Sequence, residues 1–161
     1  MKEDNTTPEV EISDIKLSQR KTFRIDGDNS KMLSLDISDL NIVSRLNEAY
    51  PKIKSAAVDA IEKMAQKDEV EDDEELIAKY ANTLKQIDDT MRELMDYVFD
   101  APVSEVCVPK GTMYDPYNGQ FRFEHIIEVL TQLYANNVSD EFNKMKARVN
   151  KRTEKYTKRR K

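Results

Sequence analysis

Hydrophobic and polar positions along the chain change period twice, and the changes mark out its elements. Phe23 and Ile25 alternate with Thr22 and Arg24, and Leu33, Leu35 and Ile37 alternate with Met32, Ser34 and Asp36. Between the two runs lies the turn-rich string Asp26-Gly27-Asp28-Asn29-Ser30. A two-residue period on either side of a turn predicts a β-hairpin with one apolar face per strand. Two strands alone are marginal, so the hairpin must lean on a helix or pair with another chain. From Ser38 the period lengthens. Leu40, Val43, Leu46, Tyr50, Ile53, Ala57, Ile61 and Met64 recur at threes and fours, the spacing of one helical stripe. Ser38 or Asp36 is placed to cap its start, and Pro51, which lacks the N–H that would bond Asn47, predicts a kink or break inside it.

The next periodic segment is cleaner. Ile77, Tyr80, Leu84, Ile87, Met91, Leu94 and Val98 step alternately by three and four, a seam suited to pairing with the first helix of the same chain. Seven carboxylates fall in the eight residues from Asp68 to Glu75. The later ones belong at a helix N-terminus, where negative charge is favoured, and the rest read as a solvated loop. Pro102, Pro109, Gly111, Pro116 and Gly119 then break regularity, with Asn118-Gly119 a strong turn signal. Tyr114 and Tyr117 in this connection are candidate partner-contact residues. A third long helix starts near Arg122 and places Phe123, Ile127, Leu130, Tyr134, Val138, Phe142, Met145, Val149 and Tyr156 on one stripe. Ser139-Asp140-Glu141 is a candidate fresh cap within it. The expected fold is mainly α: an N-terminal β-hairpin, a small bundle of three long helices and a basic C-terminal helical tail. Residues 1–20 are expected to be flexible, residues 21–143 to form a single domain, and residues 144–161 to form the tail.

Composition narrows this further. The 161 residues suit one domain; 35% are charged, and there are 3 Gly and no Trp. Few glycines mean few tight turns, and the core must come from aliphatic, Met and Tyr side chains spread along helices. Charge is divided unevenly. Residues 144–161 hold ten Lys or Arg against one acid, Glu154, although the whole chain carries a net charge of −5. Lys151, Arg152, Lys155, Lys158, Arg159 and Arg160 are therefore candidate partner-binding residues. The polar, acidic N-terminus does not read as a signal peptide, and no apolar run approaches the ~20 residues that span a bilayer. The expectation is a protein of the cytoplasm, without a membrane partner.

Catalytic chemistry finds little to stand on. His125 is the only histidine, which excludes His-rich metal sites, and its place beside Glu124 near a helix start reads as structural or exposed rather than catalytic. Cys107, the only cysteine, sits between Val106 and Val108 with no basic neighbour to activate it, and reads as a structural thiol. Pro109-Lys110-Gly111-Thr112 lacks the spacing of a phosphate loop. Asp26-x-Asp28-x-Ser30 begins like a calcium loop but has Lys31 where glycine belongs and Ile37 where the closing glutamate belongs. No catalytic residue, cofactor or metal is nominated. The basic tail could neutralise phosphates, but the acidic body and the lack of any base-reading motif favour protein contact, including contact with another copy, over nucleic acid.

The order of features carries a resemblance. The strings Thr22-Phe23-Arg24-Ile25-Asp26-Gly27-Asp28 and Leu33-Ser34-Leu35-Asp36-Ile37-Ser38-Asp39-Leu40-Asn41-Ile42 come first, followed by Arg45-Leu46-Asn47-Glu48-Ala49-Tyr50. After them come Tyr97-Val98-Phe99-Asp100, a Pro/Gly segment, a helix led by Phe121, and Arg152-Thr153-Glu154-Lys155-Tyr156-Thr157-Lys158-Arg159-Arg160. Over residues 22–160 this resembles small helical proteins of the tail-gene modules of siphophages and prophages of Firmicutes, the tail assembly chaperones. The resemblance implies a non-enzymatic protein that binds tape-measure or tail-tube protein during tail morphogenesis. The alternatives are a structural tail subunit, or a nucleic-acid-associated regulator acting through the basic tail.

Overall fold

The computed structural model describes residues 12–17, 19–66 and 73–159. It is mainly helical, with an N-terminal hairpin followed by long helices. Most of the segment expected to be flexible, residues 1–20, lies outside the described residues; residues 12–17 carry no regular structure, with Ile12, Ile15 and Leu17 exposed.

Strand β1 (Arg20–Arg24) pairs antiparallel with β2 (Met32–Asp36), Thr22 opposite Ser34 and Phe23 opposite Leu33. The two-residue period puts Leu33 and Leu35 fully inside, while β1 contributes only the half-buried Phe23. The turn between them is closed by Ser30, whose backbone N and Oγ both donate to Asp28 Oδ1.

Helix α1 (Ile42–Ala65) begins later than Asp36 or Ser38 would place it. Those residues close turns ahead of it instead: Asp36 Oδ1 accepts from Ser38 N, and Asp39 Oδ1 accepts from Asn41 N. Pro51 does not break the helix, which runs through it for 24 residues. The exposed position of Pro51 leaves its ring in solvent, and Ala49 and Ile53 on either side hold the helix to the core.

Helix α2 (Glu74–Phe99) is capped by Asp73, whose carboxylate accepts from Glu75 N and Leu76 N. The later acids of the carboxylate run thus do sit at a helix N-terminus; those at 68–72 lie outside the described residues. It packs against α1. Of its expected seam Met91 and Val98 are buried, Tyr80, Leu84, Ile87 and Leu94 are half-buried and Ile77 is exposed. Met95 and Phe99, outside the seam, complete the buried face. A short helix α3 (Val103–Cys107), which periodicity did not predict, lies in the Pro/Gly connection. Strands β3 (Pro116–Tyr117) and β4 (Gln120–Phe121) form a two-residue hairpin around Asn118 and Gly119, both at positive φ, as the Asn-Gly signal implies.

Helix α4 (Arg122–Lys158) is continuous for 37 residues, so Ser139-Asp140-Glu141 does not re-cap it. Its start is fixed by Glu124 Oε2, which accepts from Phe121 N. Three contacts set its direction. Phe123 meets Tyr50 with ring centroids 6.3 Å apart, Tyr134 meets Phe99 at 6.3 Å, and Asn137 Nδ2 donates to Ile37 O. Moving along α4 therefore means moving back along α1, from the level of Tyr50 to the turn that precedes α1. The consequence is a molecule with two unlike ends. The α1–α2 hairpin extends alone at one, and the second half of α4 extends alone at the other.

Candidate functional site: open apolar faces at two ends of the bundle

The middle of the bundle is held by a ladder of charged side chains on α2. Arg92 Nε donates to Asp88 Oδ2 at 2.7 Å, while its other nitrogens donate to the carbonyls of Ser104, Val108 and Gly111. Asp88 Oδ1 accepts from Met113 N, and Asp96 accepts from both Ser104 N and Ser104 Oγ. Asp88, Arg92 and Asp96, spaced by four, thus pin the whole connection from Ser104 to Met113 onto one helix face. Buried backbone groups that a non-helical segment would leave unpaired are satisfied this way. A second clamp joins the turn before α1 to the end of α2: Arg45 donates to Asp39 Oδ2 at 2.9 Å and to the Val98 carbonyl at 2.9 Å. The hydrogen bond from Arg45 holds the Asp39 carboxyl below its ordinary range.

This clamping decides the fate of Tyr114. Expected at a contact surface, it is 7% exposed, tucked under the connection beside Asp88, and burial pushes its phenol up. Tyr114 is a core residue, because the ladder draws Met113 and its neighbour down onto α2. Tyr117, at the hairpin tip, remains on the surface, its ring 4.4 Å from that of His125. Cys107 lines a small cleft of about 190 Å³ together with Asp26, Tyr117 and His125. Burial pushes its thiol up to about 11, which keeps it protonated and a poor nucleophile at neutral pH. Among the described residues, no three His, Cys, Asp or Glu side chains are grouped to hold a metal ion.

The basic candidates lie on the second half of α4. Lys151, Arg152, Lys155, Lys158 and Arg159 are all exposed; Arg160 lies outside the described residues. Tyr117 is not part of this group, since it belongs to the opposite end of α4. What the basic candidates share the helix with was not expected. The apolar stripe buried at Phe123, Ile127, Leu130 and Tyr134 continues through Val138, Phe142, Met145, Val149 and Tyr156, which are 41% to 71% exposed. Among the described residues this half carries one ion pair, Lys144 with Glu141, and one cation over a ring, Lys146 on Phe142.

Where α4 leaves the bundle it borders an apolar groove of about 500 Å³ with the start of α1. Leu40, Val43 and Leu46 line one side and Ala135, Val138 and Phe142 the other. Leu40 and Val43, expected in the core stripe of α1, are 61% and 68% exposed because the third helix passes them without covering them. The buried face is instead Ile42, Ala49, Ile53, Ala57 and Ala60. At the other end of α1, Ile61 and Met64 continue the core stripe but stay half exposed, as does Ile77 at the start of α2.

No family model, curated protein or solved structure matches the chain. Among the described residues, no helix is long and apolar enough to cross a membrane.

Proposed function

We propose that this protein is a non-enzymatic binding protein for amphipathic helical segments, acting as a phage tail assembly chaperone toward tape-measure or tail-tube protein. The observation that carries the reading is the groove between α1 and α4. A run of Leu40, Val43, Val138 and Phe142 open to solvent, with the half-buried Leu46 beside them, is a cost to an isolated chain and a ready seat for the apolar face of a helix. Binding of this kind needs no reacting group, and the burial of Cys107 and the pairing of the acids on α2 with backbone donors give those residues structural work. The choice of client rests on the sequence resemblance to tail assembly chaperones.

Co-expression with a helical tape-measure fragment tests it. The expected result is a fragment that stays in the soluble fraction and co-elutes with the protein, and that loses both properties with Leu40→Asp/Val43→Asp. A fragment whose solubility and elution are unchanged by the protein would refute the reading. Assay of purified particles separates a chaperone, expected to be absent from them, from a structural tail subunit.

A further inference from the structure

We propose that the protein associates head to tail with itself, the second half of α4 of one copy lying as a third helix on the open end of the α1–α2 hairpin of the next. Within one chain, α4 serves as the third helix only as far as Tyr134 and Asn137. Beyond that it projects past the start of α1, while residues 58–65 of α1 and the first turns of α2 project the other way. Each end has what the other lacks.

The apolar faces match. Phe142, Met145, Val149 and Tyr156 continue the stripe that packs on the α1–α2 pair higher up the same helix. Ile61, Met64 and Ile77 continue the stripes that receive it, and are 45% to 47% exposed. The lengths match as well. Residues 142–158 of α4 make a rod of about 25 Å, and residues 74–88 of α2 one of about 22 Å, at about 1.5 Å per residue.

Charge selects the pairing. Between Phe142 and Arg159 there are eight Lys or Arg and one acid, Glu154. Between Val58 and Tyr80 there are nine Asp or Glu and three Lys. Exposed Asp59, Glu62, Glu74 and Glu75 flank the apolar positions of that end. Tail against tail would set cations against cations, and end against end would set carboxylates against carboxylates. Only the unlike combination is attractive, which makes the contact heterologous and able to propagate into a chain or close into a ring.

The tail cannot reach its own hairpin. From Arg122 to Arg159 there is no Gly or Pro to turn the helix back, and its direction carries it away from residues 58–65. A second copy is the occupant that the geometry leaves.

The test uses the full chain without any client, in light scattering at low salt over a range of concentrations. The wild-type mass is expected to rise with concentration above 18.7 kDa and to fall back toward it in ~0.5 M salt. Two charge-reversed variants, Lys151→Glu/Arg152→Glu/Lys155→Glu and Asp59→Lys/Glu62→Lys/Glu75→Lys, each block one side. All six positions are exposed, and circular dichroism checks that both variants keep the wild-type helix signal. Each alone is expected to stay monomeric. Mixed in equal amounts, one variant's intact tail meets the other's intact hairpin end, and the mass should rise to at least that of a dimer. A wild-type chain that is monomeric throughout, or a folded tail variant that assembles like wild type, overturns the proposal. So does a mixture that stays monomeric, or an end variant that still self-associates, which would mean tail-to-tail pairing. Loss of client binding with this result intact would refute the chaperone reading alone, because Leu40 and Val43, on the α1 wall of the groove, take no part in the contact between copies.

Discussion

The two halves of α4 have the same periodicity and opposite surroundings. In the first, Phe123, Ile127, Leu130 and Tyr134 are buried against α1 and α2; in the second, Phe142, Met145, Val149 and Tyr156 face solvent. Spacing at threes and fours tells which residues share a face, and cannot tell whether anything lies opposite that face. What differs is the charge between the apolar positions: Arg122 to Asn137 is mixed and sparse in charge, while the second half is crowded with Lys and Arg. A stripe set among like charges is solvated in the monomer and suited to an acidic partner.

The sharpest way to break this comparison is to truncate one phenylalanine in each half. Phe123→Ala removes a fully buried ring and should cost about 4 kcal/mol in a denaturant melt, whereas Phe142→Ala, at a position 55% exposed, should change the stability of the monomer by less than about 0.5 kcal/mol. Equal costs would mean that the second half is packed in solution.

Next in size is the clamp that holds the connection. Arg92→Ala leaves Asp88 without its cation and takes the Arg92 donor from the Val108 and Gly111 carbonyls, and should cost about 3 kcal/mol. It should also quicken proteolysis between Ser104 and Met113, far from either end. Pro51→Ala works in the opposite direction. It restores an N–H donor at an exposed position inside α1 and should stabilise by about 2 kcal/mol, read as a higher melting temperature. No gain would show that Pro51 does structural work that its exposure conceals.

The three remaining effects are smaller. Gly119→Ala meets no neighbouring atom and should cost about 1 kcal/mol for its positive φ. Gly111→Ala should cost more, because the added carbon runs into the Asp115 carboxylate. For the Asp39–Arg45 pair the sign follows from the lowered carboxyl. Its contribution is complete above about pH 4 and is lost as pH falls through the lowered value in the folded state. Asp39→Asn should therefore cost about 1 kcal/mol at pH 7 and little at pH 2, in melts at the two pH values.

Much of this architecture was legible in residue order. The hairpin, the pairing of the first two helices, the start of α4 near Arg122 and the turn at Asn118-Gly119 all follow from local period and turn chemistry. The misreadings have a common cause in tertiary contact. Pro51 and Ser139 look like breaks, but Ala49 and Ile53 hold α1 to the core on either side of Pro51, and α4 runs through Ser139 into a half that projects alone. Leu40, Val43, Ile61 and Met64 look like core, but the third helix ends its coverage short of them. Tyr114 looks like a surface residue of a polar loop, but Asp88 and Arg92 draw that loop inward. A signal for the ladder was present, since Asp88, Arg92 and Asp96 recur at four-residue spacing beside the apolar seam; its partners are backbone groups that no spacing reveals. Of the candidate contact residues, the basic set stands exposed on one half-helix, and the groove beside it was missed because its two walls are about a hundred residues apart.

The central claim is that the second half of α4 is an exposed binding surface rather than part of the folded core. Hydrogen exchange resolved along α4, first in dilute protein and then in concentrated protein, tests it most directly. The account predicts that amides of residues 122–137 exchange slowly in both samples. Those of 142–158 should exchange fast when dilute and gain protection on concentration, together with residues 58–65 and 74–80. Uniform slow exchange along the whole helix in the dilute monomer would contradict it.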